Sequence, residues 1–231
     1  MPDDVTRSVE GRLVLIAGAT SASGLAAARV LASAGARVVA VGRDAAKLDE
    51  LAAAVPGIRT EACDLTDEAD VAGLAERVHA ADGRVDGILH LVGGWRGGGG
   101  LAGQTEADYR FLEGSFSALR HVSRAFDADL RASSAGRLAV VSSTAVARPL
   151  AGGANYAAVK AATEAWTRAV AQGFAKAARD AGTPPAAASV VFRVKALSGL
   201  EDALAQRFAG LWAADAAEGN DTIVELTDPA Q

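Results

Sequence analysis

Tyr156 and Lys160 stand four residues apart in the run Y-A-A-V-K. On a helix this spacing places both side chains on one face, a turn apart. An ammonium so placed favours a phenolate and brings a weak acid, with an ordinary pKa of about 10, toward acid–base chemistry. Ser143 lies thirteen residues upstream, and a glycine-rich turn, Gly18-Ala19-Thr20-Ser21-Ala22-Ser23-Gly24, opens the chain. A lone Y-x-x-x-K pattern is equally at home in helix packing. With the serine and a nucleotide-type turn, it points to a proton-donating centre beside a dinucleotide.

Gly18 and Gly24 bracket the positions where backbone would approach a pyrophosphate and a helix would begin. A Cβ there obstructs the tight turn or the phosphate, while the helix dipole and its free N–H groups favour an anion. Thr20, Ser21 and Ser23 add hydroxyl donors. The second strand ends Val41-Gly42-Arg43, with no acid at its tip to bind ribose hydroxyls. The Arg43 guanidinium suits a 2′-phosphate instead, which favours NADP(H) over NAD(H). Asp44 can cap the next helix, and a solvated surface charge is the alternative role for Arg43.

These residues need elements to hold them. Apolar runs at 12–17, 37–41, 87–92, 137–142 and 188–194, together with 58–62 and 222–226, read as strands. Helical patterning covers 22–34, 45–54, a stretch from Asp64-Leu65 to about Ala81, 106–132 with a break near Gly114, 155–181 and 201–216. This alternation implies βαβ units. The class is therefore α/β, a Rossmann-type doubly wound parallel sheet of about seven strands with helices on both faces. With 231 residues, one domain spanning 1–231 is expected, residues 1–10 forming a flexible N-terminus.

A formal charge of −5 and the lack of a basic run argue against a nucleic-acid partner. No apolar run reaches the length of a membrane span, and residues 1–10 carry no signal-peptide core. The single cysteine, Cys63, fits a buried strand end and a reducing compartment. These features suggest a cytoplasmic protein. His90 lies in an apolar strand, and His79 and His121 are not spaced for ligation, so no metal site is expected.

Across about 11–226 the chain resembles the short-chain dehydrogenase/reductase family. The family's glycine turn corresponds to Gly18, Ala22 and Gly24, with alanine at the middle glycine. Its acid after the third strand, associated with adenine, corresponds to Asp64, and its catalytic serine, tyrosine and lysine correspond to Ser143, Tyr156 and Lys160. The resemblance implies a cofactor site that also takes in Leu65 and Gly93, together with Tyr156 and Lys160 themselves. It implies hydride transfer between a nicotinamide and a carbonyl, alcohol or C=N group of a small molecule. Ser143 would bind the substrate oxygen, Tyr156 would give the proton, and Lys160 would lower the tyrosine pKa and hold the nicotinamide ribose. Ser142 is the neighbouring alternative to Ser143, but the spacing to Tyr156 favours the latter. A homodimer or homotetramer built on the helices at 106–132 and 155–181 is also implied.

Several positions depart from the family. His90-Leu91-Val92-Gly93 replaces the usual N-N-A-G, and Ser115 stands where the tetrad asparagine is expected. Val194-Lys195-Ala196-Leu197 replaces the P-G turn, and the segment that normally covers the substrate is nearly absent. The loop at 93–103 is left to serve as cover. Gly93-Gly94-Trp95-Arg96-Gly97-Gly98 and Pro184-Pro185-Ala186-Ala187-Ala188 look like the dihydropteridine reductase branch, although Arg43 departs from that branch's preference for NADH. Trp95 can stack on a flat substrate, and Arg148 and Arg96 can attract an acidic one; a hydrophobic plug and plain surface charges are the other readings. A nucleotide-binding regulator or scaffold with little turnover is the competing function.

Overall fold

Every residue of the first strand is buried, and successive ones face different cores. In the computed structural model, which describes residues 9–227, Val14 and Ile16 of β1 (Leu13–Ala17) face one core, and Leu13, Leu15 and Ala17 face another. A strand sends successive side chains to opposite faces, so an unbroken apolar run demands cover on both sides. Val9 is itself buried in the first core, and the rest of the expected flexible N-terminus, residues 1–8, lies outside the described residues.

The other strands are β2 (Arg37–Gly42), β3 (Arg59–Ala62), β4 (Gly87–His90), β5 (Arg137–Ser143), β6 (Ala188–Val194) and β7 (Thr222–Glu225). They form one sheet in the order β3-β2-β1-β4-β5-β6-β7, every neighbouring pair parallel. This is the expected doubly wound, Rossmann-type sheet. The chain reverses its direction of winding between β1 and β4, and the crevice beyond the carboxyl ends of those strands is where such sheets bind ligands.

Helices α1 (Ala22–Ser33), α2 (Ala45–Ala54) and α7 (Glu201–Ala209) cover the first face, supplying Leu31, Leu51, Leu204 and Phe208. Helices α3 (Glu68–Ala81), α4 (Glu106–Ala125) and α6 (Ala154–Ala181) cover the second with Leu74, Val122 and Phe174. Side-chain caps fix several helix starts: Ser21 accepts from Gly24 N–H, Asp44 from Lys47 N–H and Thr105 from Asp108 N–H. Asp44 thus takes the capping role.

Several boundaries differ from the sequence expectations, and three of them have a clear physical content. Strand β4 stops at His90; Leu91 N–H still donates to the Ala17 carbonyl of β1, the last bond of that ladder, and Val92 lies beyond it. The long helical run breaks at Phe126 rather than at Gly114. Phe126 is fully buried and closes α4, with α5 (Asp127–Ala132) following it, whereas Gly114 sits in the helix with Thr66 3.4 Å from where its Cβ would lie. A single mid-helix glycine costs only about 1 kcal/mol, so it does not end α4. Helix α7 ends at Ala209, and a 3-10 turn (Gly210–Trp212) and α8 (Ala216–Gly219) follow.

Candidate active site

Strand β5 ends in two serines, and the pleat separates them. Ser142 turns into the protein and donates to Glu164 Oε1 at 2.7 Å. Ser143 faces the other way and lines a cavity of about 1110 Å³ at the carboxyl ends of β4, β5 and β6. The Ser143 Oγ accepts from Ala145 N–H at 3.1 Å, which leaves its own proton free to meet an oxygen in the cavity.

Tyr156 and Lys160, a turn apart on α6, line the same cavity. The Lys160 Nζ lies 5.8 Å from the centre of the Tyr156 ring and donates to the Val141 carbonyl of β5 at 2.8 Å. Only 9% of Lys160 is exposed. Burial pushes its ammonium down to about 8, against the pull of the Glu164 carboxylate one turn further along α6. For Tyr156 burial again dominates and raises the phenol, with the Ser143 hydroxyl opposing. Desolvation thus sets the direction for Tyr156. A phenol is protonated at neutral pH in any case, and the shift on Tyr156 does not change that, so it has a proton to give.

A second cavity, of about 530 Å³, adjoins the first across Ser21, Leu91, Val92 and Gly93. Its walls carry Gly18, Thr20, Arg43, Asp64 and Leu65. Gly18 has φ 88°, and a Cβ on it would lie 2.9 Å from Val92 N, so only glycine fits this turn. A Cβ on Gly24 would run into the Ala19 carbonyl. Ser23 lines the first cavity, near the start of α1. The Asp64 carboxylate accepts from the Thr66 hydroxyl at 2.7 Å and the Thr66 N–H at 3.0 Å. Those two bonds, with the Arg43 charge behind them, hold it below the usual aspartate value. Cys63 lies just after β3 in the wall of this cavity, its thiol pushed up to about 12 by burial and by Asp70; it is no nucleophile at neutral pH.

The joined cavities fit an elongated dinucleotide. A helix N-terminus with hydroxyl donors stands at their junction, a cation and an acid lie at one end, and the serine, tyrosine and lysine lie at the other. Gly24 shapes the turn and lines neither cavity; the other expected cofactor residues line one or both.

The loop at 93–103 stands over the cavity, held by Gln104, whose Nε2 donates to the Gly98, Gly100 and Gly152 carbonyls and whose Oε1 accepts from Asn155 N–H. Trp95 and Leu150 line the mouth and are 61% and 78% exposed. Arg148 lines it as well. Arg96 does not: its guanidinium lies 3.9 Å from the Phe111 ring centre. Lys195, Ala196, Leu197 and Ser198 form the wall after β6. Gln104, Lys195, Leu150 and His90 were not marked as site residues by sequence reasoning; only His90, a lone histidine replacing an asparagine of the family pattern, carried a signal.

The profile of the short chain dehydrogenase family matches residues 12–178. The chain belongs to that family. Among curated relatives of this short-chain dehydrogenase is dehydrogenase/reductase SDR family member 7B of Bos taurus, 32% identical over 168 residues, a match covering 68% of this chain and 52% of the relative. The chain thus spans about half the length of that bovine protein. Among solved structures, NAD+-bound xylitol dehydrogenase superposes with a TM-score of 0.82 at 17% identity, covering 94% of this chain and 98% of the other. A chain described as a short chain dehydrogenase from Shigella flexneri 2a str. 301, complexed with NADP, superposes at 0.80 and 20% identity, covering 94% and 98%. One neighbour carries NAD+ and the other NADP, so the shared fold does not by itself choose between the two cofactors.

Proposed function

We propose that this short-chain dehydrogenase is an NADP(H)-dependent oxidoreductase acting on a carbonyl/alcohol or C=N group of a small molecule, within a single cytoplasmic domain that assembles as a homodimer or homotetramer. The observation that carries the reading is the convergence of Ser143, Tyr156 and Lys160 on one cavity wall, next to a glycine turn and a helix N-terminus. A nicotinamide dinucleotide, when bound, supplies the hydride. Ser143 orients the substrate oxygen through its free proton. Tyr156, whose phenol stays protonated at neutral pH, donates to that oxygen as charge develops on it. The Lys160 ammonium then stabilises the phenolate left behind. Gly18, Thr20, Ser21, Ser23, Gly24, Arg43, Asp64, Leu65 and Gly93 would form the dinucleotide cradle.

Trp95 and Arg148 at the mouth favour a flat substrate that carries an acidic group. A panel of carbonyl and imine compounds, quinonoid pterins included, followed by NADPH oxidation, tests the reading. Turnover with at least one member is expected; tight dinucleotide binding with no turnover on any would support the regulator instead.

Arg43 bears on the choice of cofactor, for it lines the adenosine-side cavity and among the described residues has no ion-pair partner. Arg43→Ala is expected to weaken NADPH binding by about tenfold, the worth of a charge-assisted contact, and to leave NADH within about twofold. Fluorescence titration of both nucleotides checks this, and equal losses for the two would sink the phosphate contact.

A further inference from the structure

One buried titratable group near Lys160 has no part in the chemistry above. His90 closes β4, is 4% exposed and lines the same cavity as Tyr156 and Lys160. Its Nε2 lies 3.2 Å from the Ser115 carbonyl of α4. A carbonyl can only accept, so this bond selects the Nε2–H tautomer and leaves Nδ1 with a lone pair. Among the described residues, His90 Nδ1 is the one buried side-chain nitrogen or oxygen without a hydrogen-bond partner in the protein. Buried acceptors are nearly always paired, so the donor that reaches this one is worth identifying.

Lys160 is at hand. Its Nζ has three donors, one of which goes to the Val141 carbonyl. His90 pairs with Val140 on the neighbouring strand, the residue next to Val141. A Cβ on Gly93, three residues past His90, would lie 3.6 Å from the same Nζ. Burial, the larger effect, and the Lys160 charge together drive His90 down to about 4, with the Ser115 carbonyl opposing them, so the imidazole stays neutral at ordinary pH. The two nitrogens make no direct bond, so a link between them runs through a bridging water.

We propose that His90 is a positioning residue of the reaction centre, its Nδ1 accepting a water-bridged hydrogen bond from the Lys160 ammonium and holding that ammonium charged beside Tyr156. Its effect on turnover rests on the oxidoreductase reading; the link to Lys160 does not. Ser115 does not fill the place itself, since its hydroxyl donates back to Leu112 O at 2.6 Å. His90 Nε2–H bonds the carbonyl of Ser115, where the family's asparagine is expected, and Nδ1 is the ring nitrogen left to accept from Lys160. The other charged or titratable side chains on this cavity are Tyr156 from α6, Arg148 after β5 and Lys195 after β6, with Glu164 a turn beyond Lys160 but paired to Arg193.

A neutral acceptor favours the charged ammonium, so losing it moves Lys160 ionisation to lower pH. His90→Asn keeps a polar atom near the Nδ1 position; His90→Gln keeps one near Nε2 and removes the other. In cofactor-free protein, an NMR titration of the Lys160 side chain is expected to have its midpoint near 8 in the wild type. The midpoint should lie within about 0.3 of this in His90→Asn and at least about 0.5 lower in His90→Gln. With cofactor and substrate, the alkaline limb of the kcat profile should follow the same order, and the cofactor Kd should stay within about threefold.

An unmoved Lys160 midpoint in His90→Gln overturns the proposal, as does a limb shift that tracks only the melting temperature. The wild-type 15N spectrum tests it without any variant: a protonated Nδ1 overturns it. Shifted midpoints in a protein without turnover would instead defeat the oxidoreductase reading and leave the His90–Lys160 link standing.

Discussion

Replacing Tyr156 by phenylalanine is expected to lower kcat by about 10²- to 10⁴-fold, the usual worth of a positioned general acid, while NADPH binding changes by less than about threefold. The substitution removes one hydroxyl from a half-buried ring, so the ring still packs and Lys160 keeps its bond to Val141 O. What disappears is the phenolic proton, present at neutral pH. Steady-state kinetics on the best compound of the panel, with a parallel nucleotide titration, measures both quantities. Unchanged turnover would falsify the assignment of Tyr156 as proton donor. A loss confined to KM would indicate that the hydroxyl only binds substrate.

Glu164→Ala is expected to destabilise the fold by about 3–5 kcal/mol, as removal of one partner from a buried ion pair does. The Glu164 carboxylate accepts from Arg193 Nε at 2.8 Å, from Arg193 Nη2 at 2.6 Å and from the Ser142 hydroxyl at 2.7 Å. Its side chain is 8% exposed and that of Arg193 19%. Alanine leaves a guanidinium and a hydroxyl behind with no acceptor; Glu164→Gln keeps the shape and one acceptor and should cost less. Urea unfolding at pH 7 checks the magnitude, and a loss below about 1 kcal/mol would mean that water replaces the carboxylate.

The pH dependence carries a sign. Burial raises the Glu164 carboxyl, but the bonds from Arg193 and Ser142 more than offset this and hold it below its ordinary 4.5. A carboxyl with a depressed folded value stabilises above its unfolded pKa and stops doing so as pH falls through the folded one. The stability gap between wild type and Glu164→Gln should therefore be full at pH 7 and narrow below pH 4.5. Glu164 also favours the charged form of Lys160, so both substitutions should lower the Lys160 midpoint.

Sequence and structure divide the account unevenly. The central strands were visible as apolar runs, because a sheet covered on both faces needs apolar residues at consecutive positions, whereas the edge strands β3 (R-T-E-A) and β7 (T-I-V-E) carry polar residues. Strand β4 came out two residues too long on that rule, since Leu91 and Val92 are as apolar as the strand they follow. The helix break was misplaced for a related reason: glycine is a local signal, whereas the actual break depends on a phenylalanine drawn into a core that includes residues far away in sequence, such as Leu13 and Val85. Ser143 was separable from Ser142 by spacing, and the pleat then gave the physical basis, one hydroxyl to the cavity and one to Glu164.

The amino-acid sequence by itself determined the α/β class, the glycine turn and the Tyr156–Lys160 pair, because each depends on neighbours within a turn or a strand. Only the tertiary structure decided what the pair experiences. Burial raises the tyrosine and lowers the lysine, Gln104 ties the glycine loop over the cavity, Arg96 leaves for Phe111, and His90 reaches the carbonyl of Ser115. Desolvation and long-range hydrogen bonds arise from residues brought together across the sheet, and no local spacing records them.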